Sequence, residues 1–310
     1  ILQHEELTHA FGKLVMQHVA KLEKITGNKF GSKTNPLLLS VRSGTAISMP
    51  GAMNTFLNVG INEEIAEGLS KKDNYAWTSW DCYRRFLQTW GMSNGIARDV
   101  FDQIMKDFKI KYNVAQKVYF TPAQMREMAL SYKKVIMEHG VYIEEDPEKQ
   151  LRQTILDVFN SWSSPQAIVY RKILQIADEW GTAVIVQKMV LGNLNYTSGT
   201  GVLFTHAPHI RKPGIYLFGD YSLVSQGEDI VGGLVNPRAL SSKQPNDENP
   251  EQSLQVQFPD IYERLLKLAT DMIDVHGFSH QEIEFTFESQ DPQDLYILQT
   301  RDQDLTLMSK

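Results

Sequence analysis

Leu7, Phe11, Leu14, Val15, His18, Val19 and Leu22 recur at helical spacing. They predict an amphipathic helix from Glu5 to Thr26, stopped by Gly27-Asn28. A short apolar run, Leu37 to Val41 after Pro36, predicts a buried strand. It feeds the small-residue stretch Arg42 to Gly51, a loop of the kind that lets backbone approach a ligand. From Ile61 to His139 the pattern is mostly helical, and Trp77, Trp80, Tyr83, Phe86 and Trp90 read as a helix packed in a core. Thr121 before Pro122 is an N-cap for a helix reaching His139, with Gly140 after it. Tyr142 to Pro147 is an acidic connection, followed by helices over Glu148 to Phe159 and from Ser164-Pro165 to Trp180.

After Trp180 the texture changes. Thr182 to Val190 is rich in β-formers, Gly192 to Gly201 in turn residues, and Val202 to Thr205 and Gly214 to Phe218 read as strands. Ser241 to Gln252 is a polar surface loop, Phe258-Pro259 opens a helix to His276, and two strands close the chain. Helices first and strands later give an α+β class with a helical insert.

Composition narrows the function. The 310 residues leave room for two compact units or one elaborated one. Lys and Arg number 31 against 37 Asp and Glu, a net charge of −6. That balance argues against a dedicated nucleic-acid binder but allows a local cationic pocket. Cys82 is the single cysteine, so an intrachain disulfide and a four-thiolate zinc site are both excluded. No apolar run approaches the roughly 20 residues of a membrane span. The start, Ile1-Leu2-Gln3-His4-Glu5-Glu6, is not a signal peptide and has no initiator Met, so the chain is expected to be a fragment.

The candidate chemistry concentrates in Gln281 to Arg301. Glu282, Glu284 and Thr286 share one face at period two, and Ile283, Phe285 and Phe287 share the other. On the returning strand Gln299 and Arg301 share a face. Paired as a hairpin, two carboxylates, an amide oxygen and a guanidinium converge. Mg2+ takes one or two carboxylates plus substrate phosphates, and an adjacent arginine can hold a phosphoryl oxygen. The same alternation also describes an ordinary surface hairpin. Arg42, at the end of a strand, sits where a cation and backbone N–H groups suit an anion. Thr197 to Gly201 is either a phosphate-cradling glycine loop or a hairpin turn, and it is no Walker A motif because no Gly-Lys-Ser/Thr follows.

These residues match a known pattern. The run Ser40-Val41-Arg42-Ser43-Gly44, then Ser48-Met49-Pro50-Gly51, Asn54-Thr55 and Leu57-Asn58-Val59-Gly60, resembles the N-terminal nucleotide-binding domain of the pyruvate, phosphate dikinases. The likeness continues in order through Tyr83 to Phe86, Ala167 to Arg171, Trp180 to Val184, Ser198 to Val202, Gln226 to Val231, Glu284 to Thr286 and Leu298 to Arg301. It implies an ATP-grasp-like fold of two α+β lobes clamping ATP. The first lobe is expected over 1–61 and 146–190, a helical subdomain over 62–145 and the second lobe over 191–310. The family sends a phosphoryl group from ATP to a histidine on a swivelling domain, and a barrel domain exchanges it with pyruvate. The overall reaction interconverts ATP, phosphate and pyruvate with AMP, pyrophosphate and phosphoenolpyruvate.

Carried over by position, the resemblance implies that Arg42 contacts nucleotide phosphates and Arg85 belongs to a phosphate-handling segment. Gln187 is expected near the nucleotide, Thr200 in a loop over the transferring phosphates, and Glu228 and Asp229 facing the nucleotide. Glu282, Glu284 and Gln299 become the Mg2+ ligands and Arg301 the catalytic cation. The implied partners are ATP, phosphate, and the phosphohistidine and phosphoenolpyruvate domains, which have no counterpart in this sequence. No nucleic acid or membrane partner is expected, and a cytoplasmic or organellar setting is. Glu282 stands where the family usually has aspartate, His206 lies in a segment where it usually has Thr-Arg-Asn-Pro, and no Gly-Lys segment precedes Arg42 at the N-terminus. These departures keep two alternatives in view: a degenerate, non-catalytic or regulatory remnant, and a related dikinase of the phosphoenolpyruvate synthase type.

Overall fold

The structure, a computed structural model, describes residues 9–303 apart from 46, 48, 50, 208, 209, 211–213, 232, 234, 246 and 248. The chain divides into two units, Ile1–Met189 and Val190–Lys310.

In the first unit the opening helix α1 is His9–Thr26, and the expected residues before His9 lie outside the described ones. Gly27 follows with φ +70°, a left-handed stop that glycine adopts without strain. Strands β1 (Leu39–Gly44) and β2 (Thr55–Val59) come next. The helices are then α2 (Glu63–Leu69), α3 (Thr78–Ser93), α4 (Arg98–Tyr112), α5 (Pro122–Glu138), α6 (Pro147–Ser161) and α7 (Pro165–Leu174). Three of them begin as the sequence prescribes. Thr121 and Gln124 form a reciprocal capping box before α5, and Asp146 and Ser164 cap α6 and α7, each with proline in the first turn. The expected run of α7 to Trp180 is corrected. Gln175 turns left-handed at φ 56° and its N–H closes on Arg171 and Lys172, ending the helix, and Trp180 lies 62% exposed in a short 3-10 turn.

Strand β3 (Ala183–Lys188) then returns beside β1, giving an antiparallel sheet in the order β2-β1-β3. Leu39, Val41, Phe56 and Val59 are fully buried from it, and α3 buries Tyr83, Phe86 and Leu87. Cys82 is buried in the same helix. All five tryptophans, at 77, 80, 90, 162 and 180, belong to this first unit.

The second unit is built on a five-stranded antiparallel sheet. Its elements are β4 (Gly199–Phe204), β5 (Phe218–Leu223), α8 (Gly227–Val231), β6 (Arg238–Ala239), α9 (Leu254–Gln257), α10 (Pro259–Thr270), β7 (Gln281–Phe287) and β8 (Leu295–Asp302). The strand order is β6-β5-β4-β7-β8. Ile261, Leu265 and Ala269, one helical turn apart, bury one stripe of α10 in a core with Leu203, Tyr221, Ile283, Phe285 and Phe287. The strand expected over Gly214 to Phe218 starts instead at Phe218. Before it, the Tyr216 N–H is taken by the Thr205 carbonyl at 2.9 Å and Leu217 drops into the core, so this apolar run is packing rather than ladder. At Gly201 a Cβ would stand 2.4 Å from the Phe285 ring, so the missing side chain lets that ring lie flat over β4. Among the described residues no helix is long and apolar enough to cross a membrane. The class is α+β with two sheets.

Candidate functional site

The face of the second sheet opposite α10 carries the hairpin residues. Glu282 pairs across the ladder with Arg301, and Glu284 with Gln299. Strand β4 brings Phe204 opposite Glu282, Val202 opposite Glu284 and Thr200 opposite Thr286. Side chains opposed in an antiparallel ladder share a face, so these groups line one surface.

Strict alternation along β8 could not achieve this. Leu295, Ile297, Gln299 and Arg301 are all odd-numbered, yet Leu295 and Ile297 pack against the core. The ladder register shifts between Glu284 and Phe285, which pair with Gln299 and Ile297, so that Leu298 is an extra residue on β8 opposite the step from Glu284 to Phe285. This bulge reverses the phase of β8 and sends Gln299 and Arg301 to the polar side.

Arg301 holds Glu282. Its Nε donates to Glu282 Oε2 at 2.9 Å and its Nη2 to Oε1, a two-pronged pair with both side chains partly buried. The pair occupies one lone pair on each Glu282 oxygen and two of the five Arg301 N–H donors. The donor set suits Mg2+ in kind: Glu284, Gln299 and Glu282 supply oxygens from neighbouring rungs. Among the described residues no group of three His, Cys, Asp or Glu forms a ready-made protein cage. A cation here would therefore need phosphate oxygens to complete its shell, which is how Mg2+ is usually held.

Thr200 is not in a loop. It lies within β4, 1% exposed, with its hydroxyl donating to the Phe285 carbonyl at 2.9 Å and accepting from the Thr286 hydroxyl at 2.9 Å. The turn-rich stretch stops at Ser198, and the glycines at 199 and 201 lie within β4, where a Cβ would crowd the Phe287 and Phe285 rings. Asp229 is buried, and its Oδ2 accepts the Gln226 N–H at 3.1 Å at the start of α8, while Glu228 stays partly exposed.

In the first unit, Arg42 on β1 and Gln187 on β3 come together. The Arg42 Nη2 donates to Gln187 Oε1 at 3.0 Å. Ser40 stands opposite Gln187 and Arg42 opposite Ile185, which places all four on one face of the sheet. Leu39 and Val41, one residue out of phase, face the core.

Arg85 occupies a different environment, inside α3. Its Nε donates to Asp81 Oδ2 at 2.9 Å and it is 1% exposed. Arg84 binds the other oxygen of Asp81 through Nε and Nη2 at 3.0 and 2.9 Å, and Lys117 Nζ stands 3.5 Å from the same atom. Burial pushes Asp81 up, but the charges of Arg85, Lys117 and Arg84 outweigh it and hold the carboxyl well below the usual range. Three cations thus meet one buried carboxylate. The Trp77 indole Nε1, buried and without a hydrogen-bond partner among the described residues, belongs to a ring 5.9 Å from Lys117 Nζ. Sequence reasoning missed Asp81, Arg84 and Lys117. Asp81 stands three and four residues before the two arginines, a spacing that marks helical ion pairs, whereas nothing local marks Lys117.

Residues 2–262 match the family described as pyruvate phosphate dikinase, AMP/ATP-binding domain. The chain belongs to that family. It is 38% identical over 300 residues to the pyruvate, phosphate dikinase of Rickettsia typhi, covering 96% of this chain and 33% of that protein. It is 37% identical over 300 residues to the enzyme of the same name from Clostridium symbiosum, covering 96% and 32%. With the chloroplastic pyruvate, phosphate dikinase of Mesembryanthemum crystallinum it shares 36% identity over 299 residues, covering 96% and 30%. The chain spans about a third of the length of the curated relatives it matches. The hairpin of β7 and β8 lies beyond the residues that the family model matches.

Proposed function

We propose that this chain is the nucleotide-binding, phosphotransfer part of a pyruvate, phosphate dikinase, with an ATP-grasp-like fold. The observation that carries the reading is the hairpin register, which sets Glu282, Glu284, Gln299 and Arg301 on one face. In this reading Glu284, Gln299 and Glu282 hold Mg2+, which would neutralise charge on the nucleotide phosphates. Arg301 leaves Glu282 for a phosphoryl oxygen, exchanging one charge-assisted pair for another. Arg42, oriented by Gln187, binds nucleotide phosphate in the first unit. ATP and phosphate are the substrates, and the phosphoryl acceptor is a histidine on another domain. The relatives' names favour this over a regulatory remnant or a phosphoenolpyruvate synthase type. One relative is named chloroplastic, so the setting is cytoplasmic or organellar.

The test is calorimetric titration of ATP with and without Mg2+. The parent chain is expected to bind only with Mg2+. Glu284→Ala and Arg301→Ala should each weaken binding by about 2 kcal/mol, the scale of a lost charge-assisted contact. Parent-like binding by both variants would remove the hairpin from the site.

The buried Trp77 N–H, which has no hydrogen-bond partner among the described residues and belongs to a ring 5.9 Å from Lys117 Nζ, supports a further role for Arg85. With Arg84 and Lys117 it forms the cradle for inorganic phosphate, helped by the unsatisfied Trp77 N–H. Lys117→Gln is expected to abolish the rise in melting temperature given by phosphate while leaving Mg2+-ATP binding intact. An unchanged rise would refute the assignment.

A further inference from the structure

A groove of 710 Å³ opens in the first unit where the end of α3, the 140–144 connection and α6 meet. That volume is in the range of small-molecule sites, about 300–1,000 Å³. Its apolar lining comes from Trp90, Val141 and Leu156. The Trp90 ring is only 4% exposed, and its indole N–H is donated to the Tyr142 carbonyl at 3.0 Å, so the groove meets a fixed carbon surface. Tyr142 stands at the rim, 74% exposed. Beside it Gly140, at φ +74°, has open space where a side chain would stand, which keeps the mouth clear.

The other wall is cationic. Lys149 and Arg152, one turn apart on α6, both line the groove, and among the described residues neither is paired with a carboxylate. The Arg152 guanidinium lies close against Gly12 of α1, where a Cβ would stand 2.9 Å from its Cζ. The single carboxylate in the lining is Glu144, and its Oε1 is already taken by the Asp146 N–H at 2.9 Å.

We propose that this groove binds a planar amphipathic anion, an aromatic or heteroaromatic ring bearing one carboxylate, sulfonate or phosphate. The ring lies between Trp90, Leu156 and Tyr142, and the anion meets Lys149 and Arg152. A flat ring uses the carbon surface, and a single anionic group answers the two cations without adding a buried unpaired charge. The site lies within the first unit and shares no lining residue with the Asp81 cluster. It stands at the far end of α3, the helix whose first turns carry Asp81, so an occupant would brace that helix from its C-terminal end.

The probe is 8-anilinonaphthalene-1-sulfonate, with neutral N-phenyl-1-naphthylamine as its uncharged counterpart, each titrated by fluorescence into the whole chain. Saturable one-site binding of the sulfonate is expected. It should weaken by about tenfold or more in Lys149→Gln/Arg152→Gln, the scale of lost charge-assisted contacts, while the neutral dye binds alike in both. Equal sulfonate affinity in parent and variant would overturn the proposal, as would absent or non-saturating binding by the parent. Should the double variant lose its far-ultraviolet dichroism, Lys149→Gln and Tyr142→Ala, both at exposed positions, decide the matter. Each must weaken the sulfonate by about threefold or more, and parent-like affinity in both overturns it.

Discussion

His280 shows how local surroundings set a titration. Its ring lies 4.9 Å from that of His206, and its Nδ1 is 3.1 Å from the Thr205 hydroxyl. Burial first, and then the neighbouring His206, lower its pKa below the ordinary value of 6.5. The unfolded chain therefore takes up this proton more readily than the folded one. Above pH 6.5 the group contributes no slope, and stability is lost as pH falls below 6.5 toward the folded value. Urea midpoints at pH 7.5 and 5.5 are expected to drop more for the parent than for His280→Gln. Equal drops would place the acid sensitivity elsewhere. Nothing in the sequence signalled this pair, because His206 and His280 are joined only by the register of β4 and β7. The hairpin carboxylates were legible for the opposite reason, since alternation within one strand fixes which residues share a face. Thr200 was misplaced because glycine-rich sequence reads as loop, whereas here the glycines make room for aromatic rings.

Strand β4 makes that point at the scale of the element. Its glycines are positions of close approach: a Cβ at 201 meets the Phe285 ring at 2.4 Å, and one at 199 meets the Phe287 ring at 2.9 Å. Gly201→Ala is expected to destabilise the second unit by about 1–3 kcal/mol through overpacking. Gly201→Ala/Phe285→Leu should lose less than the sum of the two single changes, because the smaller side chain frees the contested space. Denaturant titration of the four proteins measures this, and strict additivity would show that the ring is not the obstacle. Helix starts were readable from caps and prolines, while two ends were not. The stop of α7 depends on Gln175 turning left-handed, and the start of β5 on Leu217 choosing the core over the ladder. The bulge at Leu298 escaped a period-two reading for a related reason. An added residue shows itself only when the partner strand is known.

At the scale of the whole molecule, each sheet belongs to one unit with its own buried residues. The change of texture after Trp180 marks where strands begin to predominate, yet the first strand after it, β3, completes the sheet that β1 began some 140 residues earlier. Such long-range pairing leaves no mark in the local pattern, whereas the α+β class follows from the element order alone. Two cores make two cooperative transitions the expectation. Far-ultraviolet dichroism and tryptophan emission are therefore expected to give different denaturant midpoints, and coincident curves would mean that the chain unfolds as one body. The two probes differ because every indole lies in the first unit. The protein carries its own half-label: every indole that tryptophan-selective excitation reads lies in the unit that ends at Met189, and none is carried by the hairpin. A single tryptophan placed on β8 against this background, with the native five replaced by phenylalanine, would turn the same spectrometer into a reporter on Arg301 and its neighbours.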